Sequence, residues 1–253
     1  MKTVLITGAS SGIGRELAFI FAKNNYNIVL VARRAKNLDE IKELVNADYN
    51  VDVHSISMDL SQLQSANQLL EKLISKGLKI DVLINNAGFG INASFEEMDL
   101  ESEEQMIVLN ILTLTKLTRL LGKSMTEQKK GHIINIASTA AFQAVPSFSS
   151  YAATKAYVLS FSEAIEYELS PFGVNVTTIC PGATQSEFAA VSKAKAKMFA
   201  KAPSSNELAQ FIFNAYKNNK GTTTHGLMNS IMVFGLRFTP RKIATKIAAM
   251  IMK

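Results

Sequence analysis

The chain has 253 residues, 47% hydrophobic and 19% charged, with a single cysteine, Cys180. Such a composition supports one large domain with a substantial core and excludes both a disordered chain and a disulfide scaffold. The net charge of +6 is concentrated: the last 46 residues carry seven Lys/Arg and no acid, whereas the first 207 hold 20 basic and 21 acidic side chains, which argues against a uniformly basic nucleic-acid binder.

The first apolar run, Thr3–Thr7, reads as a strand and leads into the glycine-rich Thr7–Gly14. No signal-peptide pattern precedes it, and no apolar run reaches the ~18 residues of a membrane span, so a cytoplasmic address is expected. Further strands are predicted at Asn27–Ala32, Asp52–Ser57, Ile80–Asn85, His132–Ala137 and Val174–Cys180, with a weaker seventh at Thr222–His225. Helical periods fall near 12–24, 37–47, 61–75, 99–127 and 149–170, with two more after the sixth strand. Runs such as Ile28-Val29-Leu30-Val31-Ala32 are apolar at every position, as in strands buried on both faces of a parallel sheet. Strands alternating with helices then predict an α/β doubly wound, Rossmann-type fold. Its mostly parallel sheet would have six to seven strands with helices on both faces. No linker or repeat divides the chain: residues 1–225 read as a dinucleotide-binding catalytic domain and 226–253 as its basic, apolar extension. The lysine-rich stretch 192–197 is compatible with helix.

In Thr7-Gly8-Ala9-Ser10-Ser11-Gly12-Ile13-Gly14, glycines allow a tight turn and close approach to a pyrophosphate. The following helix start offers its N–H groups to the anion. The spacing T-G-x3-G-x-G resembles that of the short-chain dehydrogenase/reductase family. Further residues resemble that family in order: Asn85-Asn86-Ala87-Gly88, Asn110, Ser138, Tyr151-Ala-Ala-Thr-Lys155, and Pro181-Gly182 after the sixth strand. The resemblance covers roughly residues 3–220. It implies Asn110, Ser138, Tyr151 and Lys155 as catalytic residues. It also implies that Gly8, Ser10, Ser11, Gly12, Ile13, Gly14, Asp59, Asn86, Ala87, Gly88, Tyr151, Lys155, Pro181, Gly182, Thr184 and Ser186 bind a nicotinamide dinucleotide. Ser186 stands where many members of the family carry threonine.

Residue chemistry agrees. Tyr151 and Lys155 lie one helical turn apart, so an ammonium can sit beside the phenol and lower a pKa that is otherwise ~10. Ser138 can hydrogen-bond a substrate oxygen, and Asn110 would hold a water linking Lys155 to solvent. At the end of the second strand, the acid that would bind an NAD ribose is replaced by Ala32, followed by Arg33 and Arg34. Guanidinium groups suit a 2′-phosphate, so NADP(H) is the expected cofactor. The expected activity is hydride transfer between NADP(H) and a carbonyl or secondary alcohol. A non-catalytic NADPH sensor or scaffold, or a dehydratase or epimerase using the same Tyr-Lys pair, is the alternative.

His54, His132 and His225 show no metal-ligand spacing, so no metal is expected, and Cys180 reads as an inert core thiol. No G-x-S-x-G or Walker pattern is present. Phe89, Phe142, Val145 and Phe148 flank the catalytic positions and suggest a pocket for a small apolar carbonyl or alcohol. Helices near 99–127 and 149–170 resemble those that pair family members into dimers or tetramers. In the tail, Ile243, Ile247, Met250 and Ile251 form one apolar stripe beside Arg241, Lys242, Lys246 and Lys253. That pattern suits a substrate lid or subunit contact, or a peripheral contact with an anionic membrane.

Overall fold

The computed structural model describes residues 1–192, 199 and 202–252, so most of the lysine-rich stretch and Lys253 lie outside the described residues. The strands are β1 (Lys2–Thr7), β2 (Tyr26–Ala32), β3 (Val53–Ser57), β4 (Val82–Asn85), β5 (Gly131–Ile136), β6 (Val174–Cys180) and β7 (Thr222–Thr224). They form one sheet in the order β3-β2-β1-β4-β5-β6-β7. Every neighbouring pair is parallel, including the short β7, where Ile179 pairs with Thr223.

The uninterrupted apolar runs form two cores because successive side chains point to opposite faces. Val4, Ile6, Ile28 and Leu30 meet α1 (Gly12–Lys23), α2 (Ala35–Asp48) and α8 (Ser205–Lys217). Leu5, Val29 and Val31 meet α3 (Ser65–Ser75) and α5 (Leu114–Glu127) on the other side. Phe21 anchors the first core, its ring edge-on to Tyr26 and Phe213 at 5.1 and 5.0 Å. Ser204 caps α8 by accepting a hydrogen bond from the Glu207 amide, as the Ser-x-x-Glu spacing favours.

The helix predicted over 99–127 is three pieces: α4 (Leu100–Ile107), a π-helical turn (Val108–Thr113) and α5. Hydrophobic periodicity does not register a single extra residue per turn. Beyond β5 lie α6 (Ser149–Leu169), the short α7 (Phe188–Val191), α9 (Leu227–Leu236) and α10 (Arg241–Met252). No helix among the described residues is long and apolar enough to cross a membrane.

Candidate active site

β1 and β4 are neighbours in the sheet, yet the chain leaves them towards opposite sides. The crevice beyond their carboxyl ends is where open α/β sheets bind ligands. Here it is a cleft of about 560 Å3. Its two floor turns are tied together: the Asn86 Nδ2 donates to the carbonyls of Thr7 (2.9 Å) and Gly8 (3.3 Å), and Thr7 Oγ1 accepts from the amides of Asn86 and Ala87, both at 3.0 Å. Asn85 faces the sheet instead, donating to Thr118 and Asn135.

At one end, Gly8, Ser10, Ser11, Gly12 and Ile13 line the cleft. Gly8 has a φ of +66°, and a Cβ there would press on Ala87. Ser11 occupies the N-cap of α1 but makes no side-chain cap bond, which leaves the helix start without a side-chain acceptor and suited to an anion. Gly14 does not line the cleft. A Cβ at that position would strike the Gly8 carbonyl oxygen, so its part is to let α1 pack beneath the turn.

Ala32, Arg33, Arg34, Met58, Asp59 and Ser61 form the next stretch of wall. The Asp59 carboxylate accepts from the Ser61 amide and hydroxyl at 2.9 and 2.7 Å. Partial burial pulls its pKa upward, but the Ser61 hydrogen bonds outweigh this and hold it below the ordinary value. Arg34 donates to Ser10 and Ser11, and its guanidinium grips Glu187 through two contacts of 2.7 and 3.1 Å. Ser11 also donates to Glu187 at 2.8 Å. Sequence reasoning missed Glu187, which follows Ser186 directly but meets Arg34 only in the folded chain.

Ser138, Tyr151 and Lys155 gather at the other end, with Pro181, Gly182 and Thr184 also in the wall, whereas Ser186 lies against Gly12 at the glycine turn. Ser138 stands at the close of β5, and its Oγ accepts from the Ala140 amide. Tyr151 and Lys155 share one face of α6, with Nζ 5.8 Å from the ring centre. The ammonium donates to the Ile136 carbonyl at 2.7 Å. Burial pushes the Tyr151 phenol up to about 12, opposed by its hydrogen bond with Ser138. Burial also brings Lys155 down to about 8. The expectation that the cation lowers the phenol pKa is therefore corrected for this state, since desolvation dominates both groups.

Asn110 lies behind Gly88, where a Cβ would be 2.9 Å from its Oδ1 and 3.6 Å from Lys155 Nζ. It is fully buried in the π-helical turn and does not line the cleft. Its Nδ2 donates to the Phe89 carbonyl (2.9 Å) and Thr154 Oγ1 (3.1 Å), and its Oδ1 accepts from the Phe89 amide (3.2 Å). The side chain is a clasp between the β4–α4 loop and α6.

Phe89, Val145 and Phe148 line the Tyr151 end, whereas Phe142 packs against a neighbouring apolar cluster. Phe188 and Phe199 complete the wall from a segment that sequence reasoning did not connect to the site, and Met232 and Ile251 from the tail read as a candidate lid. Phe148 and Phe188 bracket the Tyr151 ring, with centroids 5.7 and 5.4 Å away. Away from the chemistry, His132 is buried on Thr177, and burial lowers its pKa to about 4. Burial holds the Cys180 thiol up at about 12, neutral and unreactive.

A sequence profile described as short chain dehydrogenase matches residues 2–197. An uncharacterized oxidoreductase of Staphylococcus saprophyticus is 37% identical over 181 residues, 72% of this chain and 77% of that protein. Among solved structures, a short-chain dehydrogenase from Sphingobium yanoikuyae in complex with NADPH superposes with a TM-score of 0.85 at 31% identity, covering 94% of both chains. The bulky-bulky ketone specific alcohol dehydrogenase from Comamonas testosteroni gives 0.81 at 29% identity, covering 94% of this chain and 92% of that one. The chain belongs to the short-chain dehydrogenase family of nicotinamide-dependent oxidoreductases.

Proposed function

We propose that the protein is an NADP(H)-dependent carbonyl reductase or secondary-alcohol dehydrogenase acting on an apolar substrate. The observation that carries this reading is the convergence of Ser138, Tyr151 and Lys155 at one end of the cleft whose other end holds a glycine turn, a helix start and Arg33–Arg34. The cradle fits the cofactor: Gly8 brings backbone close to the cleft, and the start of α1 has no side-chain cap. Arg33 and Arg34 supply charge for a 2′-phosphate where Ala32 offers no carboxylate for a hydroxyl.

Bound there, the nicotinamide would supply or accept the hydride. Ser138 Oγ orients the substrate oxygen by hydrogen bonding. Tyr151 gives that oxygen its proton during reduction and removes it during oxidation. Lys155, anchored on the Ile136 carbonyl, places a positive charge near the phenol as its proton leaves. Asn110 fixes Phe89 and α6 around the site. Phe89, Val145, Phe148 and Phe188 exclude water and favour a ketone with apolar substituents. The outer faces of α4, α5 and α6 carry the contact of a homodimer or homotetramer, with Ile107 and Tyr167 exposed there.

The test is NADPH oxidation across a ketone panel graded by size and polarity, alongside NADPH titration. Turnover that rises with apolar bulk supports the reading. Tight NADPH binding with no turnover on any ketone would make the protein a non-catalytic binder and overturn it.

A further inference from the structure

The two C-terminal helices pack with their apolar faces inverted. In α10, Ala244 and Ala248 are buried, whereas Ile243, Ile247, Met250 and Ile251 are exposed. A helix serving only the core puts its large side chains inward and leaves polar ones to water. α9 buries no residue at all; Leu227 and Met228 are 79% and 76% exposed, and Phe238, just beyond the helix, is 75% exposed. The result is a broad apolar surface rather than scattered single residues.

This surface runs into the cleft. Met232 from α9 and Ala248, Ile251 and Met252 from α10 are part of the cleft wall. Ile251 belongs to both, lining the cleft while remaining 60% exposed. Arg237, Arg241, Lys242 and Lys246 are exposed on the same two helices and the turn between them, and no acidic residue follows Glu207. A second copy meeting this face about a twofold axis would set each cation against the same cationic patch. Anionic headgroups instead neutralise it, and the acyl boundary accepts the isoleucines, leucine and phenylalanines.

We infer that α9 and α10 dock the protein on an anionic lipid surface, so that the cleft opens towards the bilayer and draws a lipid-dissolved carbonyl or alcohol from it. Docking stands on the surface alone; the route for substrate rests on the reading of the cleft as a carbonyl-reducing site. The helices are too short to span a bilayer, so the contact is interfacial.

The full chain is floated with phosphatidylcholine–phosphatidylglycerol vesicles and with pure phosphatidylcholine vesicles. Two variants are compared, Ile243→Ser/Ile247→Ser and Arg241→Gln/Lys242→Gln/Lys246→Gln, none of whose positions lines the cleft. The protein should float with the anionic vesicles and not with the neutral ones. Partitioning should weaken at least about tenfold in the isoleucine variant and on the order of a hundredfold in the charge variant. Turnover of a water-soluble ketone should stay unchanged in both, while turnover of a bilayer-dissolved ketone falls with flotation. No flotation of the parent chain, or equal flotation of parent and variants, overturns docking. So does loss of the oligomer on sedimentation of the isoleucine variant with flotation intact. Flotation without turnover of any ketone keeps docking and overturns the substrate route, along with the catalytic reading on which it rests.

Discussion

Arg34 and Glu187, 153 positions apart, form a two-contact ion pair across the glycine-turn end of the cleft, and Ser11 donates to the same carboxylate. The Arg34 hydrogen bond, followed by that of Ser11, holds Glu187 below its ordinary pKa, so the pair is ionised at neutral pH. Glu187 is thus an internal anion on the guanidinium proposed to hold the 2′-phosphate. It precedes Phe188, whose ring lies against Tyr151, and so links the glycine-turn end of the cleft to the Tyr151 end.

For cofactor choice, Glu187 competes with the phosphate. Both partners are half exposed, so the pair contributes little on its own, ~0–1 kcal/mol. Glu187→Gln should tighten NADPH binding about three- to fivefold and change NADH binding less than twofold. Arg34→Ala should weaken NADPH binding by one to two decades, the contribution of a charge-assisted phosphate contact at ~1.5–3 kcal/mol. Fluorescence titration with both cofactors checks this. Weaker NADPH binding in Glu187→Gln would show that the carboxylate holds Arg34 in its binding pose rather than competing.

At the other end, Tyr151→Phe retains the ring between Phe148 and Phe188 and deletes only the hydroxyl. Turnover should fall by at least ~10²–10⁴-fold while NADPH affinity changes less than twofold. Single-turnover reduction beside equilibrium titration separates the two effects. Activity near that of the parent would assign the proton to another group.

The two directions should also respond differently to pH. With burial pushing the phenol up to about 12, Tyr151 is protonated through neutrality, the form needed to reduce a carbonyl. Oxidation needs the phenolate, whose fraction grows tenfold per pH unit below the pKa. kcat/KM for alcohol oxidation should therefore rise towards tenfold per unit between pH 6 and 8, while that for ketone reduction stays level. Lys155 loses its proton, and with it the support of the phenolate, around pH 8, so the oxidation curve should bend as pH approaches 8 and flatten beyond it. Parallel pH profiles in the two directions would contradict the assignment of Tyr151 as the titrating group.

Much of this architecture is legible in the chain because it depends on local pattern. Val4 to Ile6 and Ile28 to Val31 are apolar at every step, and both faces of those strands are buried as that pattern requires. Tyr151 and Lys155 meet because a helix brings positions four apart to one face. Glu187 was not legible, since no periodicity joins it to Arg34. The π-helical turn was hidden in a continuous helical pattern, and with it the inward setting of Asn110. The apolar stripe of α10 was visible, but not its direction. Amphipathicity identifies a face, and only the packing of Ala244 and Ala248 shows that this one points outward.

Asn110 supplies the last prediction. Its amide satisfies both backbone groups of Phe89 and also reaches Thr154 on α6. Asn110→Ala would strip the part-buried Phe89 amide and carbonyl of these bonds, at up to ~1–3 kcal/mol for each unsatisfied group, while Thr154 Oγ1 keeps its bond to the Tyr151 carbonyl. The melting temperature should therefore fall by several degrees. If the residue positions rather than touches the reacting atoms, kcat should drop as Phe89 and α6 loosen around Tyr151, with the pH profile keeping its shape and NADPH affinity nearly unchanged. Asn110→Asp should restore only part of the stability, because a carboxylate accepts from the Phe89 amide but cannot donate to its carbonyl. A variant with parent-like stability but a displaced pH profile would instead mean that Asn110 acts in the proton path itself. Thermal denaturation and kcat measured from pH 6 to 9 on the same preparations distinguish the two.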